Sequence, residues 1–369
     1  MEAIEILKCP NCKSENFSKL FIDEKYDNDL FEFGRTNKLN EKYPDLNFDE
    51  LSQSSFSTCR NCLLVFSAKR RKEENMYSME FFADVQKRWY SQYPVPQEYI
   101  DQHKKLSKNF INILNKNNFS LSPASKVLWL RTECGVLTND LLKDVDKENV
   151  YIMEYFDSNI RYLKDHGFIN VEKLPPGDFV SSYKEIKFSE IFINHQLTHS
   201  FDPRKLIKTL IDMLSYEGRI IFYNEIDHLE ANKMIDHYPR GINSFHNQLF
   251  TKNSLSNFLK TVDASIEFFE PLEPLKNASV HSGMFGVIKK DSFINEHPLY
   301  VNSDNDYKEE IDSFRNWMQA HKIYSRNLKL KKFISKVLLF TFIKKITKNI
   351  LIRLGLLKWL KIKMGIKIS

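Results

Sequence analysis

Four cysteines are arranged as two C-x2-C pairs, a spacing that suits the binding of a metal ion. Cys9 pairs with Cys12 and Cys59 with Cys62, and 46 residues separate the two pairs. A C-x2-C turn directs two thiolates at one ion, and two such turns complete a tetrahedral set of four sulfur ligands. We therefore expect structural zinc with no coordination position open for catalysis. Two unconnected thiol pairs or a redox C-x2-C are the alternatives.

A second candidate site lies in the stretch VLWLRTECGVLTNDLL, residues 127–142. It begins as an apolar strand, turns through polar residues and continues as a helix. Such units often hold a nucleotide, and their turns are glycine-rich because glycine accepts positive φ and lets a ligand approach the backbone. Here the turn has one glycine, Gly135, beside Arg131 and Glu133. The stretch predicts either a pocket that uses unusual side chains or one that has lost its ligand.

Short apolar strands alternate with helical segments over residues 126–223. The strand candidates are Val127 to Leu130, Val150 to Met153, Glu190 to Asn194 and Arg219 to Tyr223, with helices near 136–144, 157–166 and 203–215. This alternation predicts an α/β fold with a parallel, doubly wound, Rossmann-like sheet. Ligands bind such sheets beyond the carboxyl ends of the strands. The candidate site residues are therefore those that follow the predicted strands.

The charge is distributed unevenly along the 369 residues. The formal net charge is +6, yet the segment from Ser313 to Ser369 contains 15 Lys and Arg and no acid, which leaves 39 basic and 48 acidic residues in the rest. The chain before Ser313 is therefore acidic, and an acidic protein binds nucleic acid poorly. Because we find no secretory signal and no apolar run long enough to span a membrane, we expect a cytoplasmic protein.

The basic tail has an amphipathic pattern. Lysines recur at three- and four-residue intervals among apolar residues in NLKLKKFISKVLLFTFIKKITKNI, residues 327–350. Helices of this kind lie in the membrane interface, and each cation near an anionic leaflet adds roughly 1 kcal/mol. We expect the tail to bind the inner face of the membrane. A helix packed on the domain or on a partner subunit, and a nucleic-acid contact, are the alternatives.

These features suggest four regions. We assign residues 1–75 to a zinc-binding module, 76–125 to a helical connector, 126–300 to the Rossmann-like domain and 301–369 to the helical tail. In order and spacing, residues 5–290 resemble class I S-adenosylmethionine-dependent methyltransferases, in particular bacterial sugar C-methyltransferases that have an N-terminal zinc module. The segments that carry the resemblance are TCRNCLLVFSAKRRKEENMY, VLWLRTECGVLTNDLL, VYIMEYFDSNIRYLKDHGF, SEIFINHQLTHSFDPRKLIKTLIDMLSYEGRIIF and FHNQLFTKNSLSNFL.

The resemblance implies a role for each strand end. Glu154 would accept hydrogen bonds from the ribose of the cofactor. Asp178 and Phe179 would flank its adenine. The loop from Asn194 to His199, which includes His195, would line its methionine end.

The first motif departs from the family pattern. Trp129, Arg131 and Glu133 stand where the family has an acid, Gly and Gly, and only Gly135 matches. Arg131 could instead pair with the carboxylate of the cofactor, because a guanidinium binds carboxylates in a bidentate manner. It could equally fill the pocket.

The acid/base positions also differ. Where the family has a His-Glu-His cluster, this chain has His246 followed by Asn247 and Gln248. An amide cannot exchange a proton at neutral pH, so His246 and His199 are the candidate bases. Methyl transfer itself relies mainly on proximity and alignment, and a base is needed only for a hydroxyl or carbon acid.

The sequence therefore predicts methyl transfer from S-adenosylmethionine to a sugar or surface-polysaccharide precursor at the cytoplasmic membrane face. A catalytically inactive methyltransferase-like scaffold that recruits partners to the membrane is the alternative from another class. An RNA methyltransferase is a third.

Overall fold

The computed structural model describes residues 4–20, 56–70, 93–95, 97–132, 135–173, 183–225, 247–271, 284–290, 305–309, 311–312, 330 and 334. The chain divides into two compact units, Met1–Met318 and Gln319–Ser369. Within the described ranges, no helix is long and apolar enough to cross a membrane.

The two cysteine pairs lie beside two small antiparallel sheets, and Cys59 ends a strand of the larger one. The strands are β1 (Ile4–Glu5), β2 (Phe17–Leu20), β3 (Phe56–Cys59), β4 (Val65–Ser67) and β5 (Lys69–Arg70). Strand β1 pairs with β5, and β2, β3 and β4 form a meander. A fourth strand, β11 (Gln248–Leu249), pairs antiparallel with β4. The small sheet thus takes an edge strand from a distant part of the chain.

The large sheet has seven strands. They are β6 (Val127–Leu130), β7 (Val150–Glu154), β8 (Asn170–Lys173), β9 (Phe188–Asn194), β10 (Leu214–Glu225), β12 (Ala264–Pro271) and β13 (Met284–Lys290). Their order is β8-β7-β6-β9-β10-β13-β12, the first five are parallel, and β13 runs antiparallel to both its neighbours. The predicted doubly wound, Rossmann-like sheet is confirmed, and its strand order reverses beside β6.

Helices connect and cover these strands. They are α1 (Gln97–Lys116), α2 (Val136–Leu141), α3 (Asp157–Asp165), α4 (Gln196–His199), α5 (Pro203–Asp212) and α6 (Lys252–Lys260), with a 3-10 turn at Lys147–Asn149. Helix α5 begins where Asp202 accepts from the Lys205 N–H, and α6 begins with a reciprocal capping box between Thr251 and Ser254. Such caps satisfy N–H groups that a helix leaves unpaired.

Two expectations about element bounds need correction. The helix predicted at 203–215 ends at Asp212, because Leu214 already pairs with Phe188 in the large sheet. The loop predicted from Asn194 to His199 contains the short helix α4. In the tail, Leu330 and Ile334 are helical, and the rest of residues 313–369 lies outside the described residues.

The alternating faces of β6 point into two different apolar clusters, as the strand period requires. Leu128 and Leu130 pack in a cluster that also contains three of the four paired cysteines, Cys9, Cys59 and Cys62. Val127 and Trp129 pack on the opposite face. The cysteine module therefore shares one core with the large sheet.

Candidate functional site

The four paired cysteines come together at one point. Their sulfur atoms all lie within 4.8 Å of one another. The Sγ–Sγ distance is 3.6 Å between Cys9 and Cys62 and 3.4 Å between Cys12 and Cys59. A tetrahedral zinc ion with Zn–S bonds of about 2.3 Å needs sulfurs roughly 3.8 Å apart. The predicted convergence is confirmed, and the cluster can hold one metal ion.

The two cysteine turns have the same backbone geometry. In each, the residue four positions after the first cysteine has a left-handed φ, 59° at Lys13 and 63° at Leu63. Each donates its N–H to the carbonyl of that first cysteine at 3.0 Å. Repeated turns of this shape direct two thiols to one side, as a four-sulfur ligand set requires.

The four thiols do not titrate alike at this distance: hydrogen bonds from neighbouring thiols bring the pKa of Cys12 and that of Cys59 below the usual range of a thiol. Hydrogen bonds from neighbouring thiols, together with burial, raise the pKa of Cys9 and that of Cys62 above the usual range of a thiol. A divalent cation removes this penalty, because its charge compensates several thiolates at once. The donor set therefore fits a soft, tetrahedral ion such as zinc.

The turn after β6 keeps an unusual backbone despite its missing glycines. Arg131 has a φ of 61° and donates its N–H to the Met153 carbonyl at 2.9 Å. Gly135 has a φ of 76°, precedes α2 and donates to the Thr132 carbonyl at 3.2 Å. A left-handed conformation costs a non-glycine residue roughly 1–2 kcal/mol. The contacts that hold Arg131 in place therefore have to offset this cost.

Glu154 ends β7 with a fully buried side chain. Its Oε2 accepts from the N–H and the hydroxyl of Thr132, both at 2.8 Å. Its Oε1 accepts from the N–H groups of Tyr155 at 2.6 Å and Phe156 at 3.3 Å. The carboxylate thus links the turn after β6 to the start of α3. An ionised carboxylate has about four acceptor positions, and these four donors occupy them.

Two opposing effects act on this carboxyl group. Burial raises the pKa of Glu154, and the hydrogen bonds from Thr132 and Tyr155, with the nearby charge of Arg131, partly offset the rise. Burying a charge costs free energy unless the charge is hydrogen-bonded, so each donor to Glu154 stabilises the ionised form.

Trp129, at the position where the resemblance would place an acid, is fully buried. Its ring stacks on Phe192 with centroids 4.4 Å apart. Its Nε1 donates to the Tyr223 hydroxyl at 3.1 Å, and that hydroxyl donates to the Arg131 carbonyl at 3.5 Å. This buried, hydrogen-bonded link ties β6 to β10.

The end of β9 carries three predicted site residues. Asn194 and His195 are buried, and His195 has a left-handed φ of 54° where α4 begins. The rings of His195 and His199 meet edge-to-face with centroids 5.9 Å apart. Because β9 lies beside β6 in a parallel sheet, these residues share an edge with Arg131 and Glu154.

The structure therefore brings several predicted residues to one edge of the sheet: Arg131, Gly135, Glu154, Asn194, His195 and His199. Their roles toward a ligand stay predictions. Glu133, Asp178, Phe179 and His246 lie outside the described residues. Sequence reasoning missed Thr132 and Tyr223, although a hydroxyl inside the turn and an aromatic residue at a strand end were available signals.

Comparison with known proteins adds information about the fold. No family model and no curated protein matches the chain. Among solved structures, the chain is similar to the DhpI–SAH complex, with 16% identity, a TM-score of 0.39, and coverage of 60% of this chain and 97% of that one. It is also similar to the magnesium protoporphyrin IX methyltransferase of Synechocystis with bound SAH, with 13% identity, a TM-score of 0.41, and coverage of 59% and 98%.

A third similar structure is an S-adenosylmethionine-dependent methyltransferase from Clostridium acetobutylicum, with 14% identity, a TM-score of 0.38, and coverage of 58% and 99%. The seven-stranded sheet of this chain is Rossmann-like. Its activity has to be inferred from its own residues.

Proposed function

We propose that the chain binds S-adenosylmethionine at the carboxyl edge of the large sheet and transfers the methyl group to a sugar or surface-polysaccharide precursor. The observation that carries the cofactor proposal is Glu154, a carboxylate held at the end of β7 next to the turn after β6. Strand-end acids in such sheets receive ribose hydroxyls. The sugar class rests on the resemblance of the zinc-module and Rossmann segments to sugar C-methyltransferases.

Binding requires one rearrangement at Glu154. The hydroxyl of Thr132 is the exchangeable donor, because it can rotate away while the backbone N–H donors stay in place. A ribose hydroxyl would then take its position on Oε2. Arg131 would face the carboxylate of the cofactor, and its partial burial would strengthen that contact.

The cofactor supplies an electrophilic methyl group, so the protein has to align the acceptor and, for a hydroxyl acceptor, accept its proton. His199 lies at the end of α4 on the same edge and is half-buried. We assign it, with His246, as the candidate base. A neutral imidazole near pH 7 is suited to this task.

A cofactor titration by calorimetry tests the proposal. Wild type should bind S-adenosylmethionine, and Glu154→Gln should weaken binding about ten- to a hundredfold, corresponding to the 1.5–3 kcal/mol of a hydrogen bond to a charged group. Thr132→Val should retain binding, because it removes only the competing hydroxyl. If wild type gives no binding heat at millimolar cofactor, the proposal that the chain is an enzyme is rejected.

The second candidate is a methyltransferase-like scaffold without catalysis. The occupied acceptor positions of Glu154 and the buried Trp129 in the place of an acid favour it. If the chain is such a scaffold, wild type gives no heat of cofactor binding, and neither does Thr132→Val.

We also propose that the tail binds anionic membranes. Leu330 and Ile334 are helical, exposed and one turn apart, which places two apolar side chains on one helix face in a segment whose sequence is rich in lysine. Deleting residues 327–369 should abolish co-sedimentation with anionic vesicles at low salt. Equal binding by full-length and truncated protein would refute the membrane role. A variant with Lys329, Lys332 and Lys336 replaced by Gln removes positive charge but keeps the apolar residues, so comparing it with the deletion isolates the effect of charge.

A further inference from the structure

Two consecutive amides, Asn247 and Gln248, stand where the resemblance places proton-exchanging residues, and both are buried. The Asn247 side chain donates to the carbonyls of His199 at 2.8 Å and Ser200 at 3.3 Å. Gln248 Nε2 donates to the carbonyl of Leu197 and, at 2.8 Å, to that of Ser200. These contacts need N–H donors, which a carboxylate in either position would lack.

The donors satisfy the carbonyl end of helix α4. The last carbonyls of a helix have no partner within it. The backbone N–H of Asn247 donates to the Thr198 carbonyl at 2.9 Å, so the four carbonyls of residues 197–200 all accept from Asn247 or Gln248. A helix of four residues is too short to be stable alone. The position of α4 therefore depends on these two residues.

The same two residues are built into the sheet of the cysteine module. Gln248 lies opposite Phe66 in the pairing of β11 with β4, and the Ser67 N–H donates to the Asn247 carbonyl at 2.8 Å. Strand β4 pairs in turn with β3, which ends at Cys59. Two backbone ladders thus connect the four-cysteine cluster to α4.

We propose that Asn247 and Gln248 form a metal-dependent clamp on α4. The metal holds the two cysteine turns, the turns hold β3 and β4, β4 holds β11, and the amides hold α4 with His195 and His199 at the edge of the large sheet. Loss of the metal releases α4. The clamp goes beyond the proposed methyl transfer, and its test does not use the cofactor.

Hydrogen exchange of the full chain, read by mass spectrometry, tests the coupling. Removing the metal with a chelator should speed exchange at least about tenfold in the peptide over residues 195–201 and at the N–H of Ser67. Peptides over β6 and β7, two inner strands of the large sheet, should gain much less exchange. Metal analysis run in parallel establishes the loaded and stripped states.

Variants of the clamp separate it from general destabilisation. Gln248→Met and Gln248→Glu should each speed exchange over residues 195–201 about tenfold while the chain keeps its metal, because the Leu197 and Ser200 carbonyls each lose their nearest donor. Each carbonyl then keeps a single donor at 3.3 Å, the Ser200 N–H for Leu197 and the Asn247 side chain for Ser200. Asn170→Asp is the matched control. Its side chain also donates to two carbonyls, those of Glu148 and Val150, but on β8. Asn170→Asp should leave the hydrogen exchange of residues 195–201 unchanged.

The pH dependence of hydrogen exchange shows whether the loss of hydrogen-bond donation causes the faster exchange over residues 195–201. At pH 5 the buried Glu of Gln248→Glu takes up a proton and can donate to one carbonyl, so its excess exchange over wild type at the same pH should shrink. Gln248→Met should show no such recovery. Equal protection of residues 195–201 in metal-loaded wild type and both variants would overturn the clamp. That comparison also decides the matter if chelation unfolds the whole chain.

Discussion

A buried polar link between Trp129 and Tyr223 holds together the ends of β6 and β10. Trp129 Nε1 donates to the Tyr223 hydroxyl, which in turn donates to the Arg131 carbonyl. Buried N–H groups cost about 1–3 kcal/mol when they lose their only acceptor. The N–H of the buried Trp129 ring therefore has its acceptor on β10, two strands away in the sheet.

We expect Tyr223→Phe to lower the free energy of unfolding by about 1–3 kcal/mol, because the Trp129 N–H loses its acceptor. Urea denaturation followed by tryptophan fluorescence and circular dichroism measures the loss. In a double-mutant cycle with Trp129→Phe, the two losses should sum to more than the loss of the double variant by roughly 1 kcal/mol. Strict additivity would show that the bond contributes nothing.

Glu154 should make stability depend on pH. Burial raises its folded-state pKa above the unfolded value. Its contribution is then fully present below the unfolded pKa and declines as pH rises through the folded pKa, because the native state binds the proton more tightly. Wild type should therefore lose stability relative to Glu154→Gln between pH 4.5 and the folded pKa. Urea midpoints of both proteins across this range test it, and parallel curves would contradict it.

At the scale of elements, the turn between β6 and α2 depends on one glycine. A Cβ on Gly135 would lie 2.9 Å from Leu163 Cδ2 and 3.0 Å from Tyr162 Cδ1, and the φ is 76°. Helix α3 thus packs directly against this turn. Gly167, which follows α3, has a φ of 85° with nothing within 4 Å of the corresponding Cβ. The two glycines share a conformation and differ in their surroundings.

We expect Gly135→Ala to cost at least about 1 kcal/mol more stability than Gly167→Ala. Both variants pay the left-handed backbone cost, and the first adds the overpacking of Leu163, an effect of roughly 1–3 kcal/mol. Thermal or urea unfolding of the pair gives the difference directly. Equal losses would mean that α3 shifts freely to accommodate the methyl group.

At the scale of the whole molecule, the four-cysteine cluster is part of the main core rather than an appendage. Three of its cysteines pack with Leu130, Met153 and other residues beneath the large sheet. Asn11, between two of the ligands, accepts from the Thr261 hydroxyl at 3.3 Å at the end of α6. Metal binding should therefore stabilise the unit as a whole, since ligand sets of this kind couple binding to folding.

Purified protein should contain one zinc per chain, and Cys59→Ser with Cys62→Ser should lose it and lower the melting temperature. Elemental analysis and calorimetry measure both effects. Cys134→Ser is the control, because the fifth cysteine belongs to neither pair. Zinc content that does not change in the double variant would contradict the site.

The sequence alone predicted four strands of the large sheet and the cluster of four cysteines. The strand Val127–Leu130 lies where its apolar run predicts it, and two C-x2-C pairs are specific because the ligand geometry is local. Glu154 was predicted at a strand end from the same alternation. These features depend on short-range patterns that a single sequence carries.

Only the tertiary structure decided which contacts the residues of the candidate site make. The four donors on Glu154 come from residues 132, 155 and 156, and the partner of Trp129 is 94 residues away. Strand β11 has two residues and no pattern of its own, and it forms because β4 offers an unpaired edge. Whether an amide replaces a base or holds a helix depends on which carbonyls face it, and that is settled by packing between distant segments.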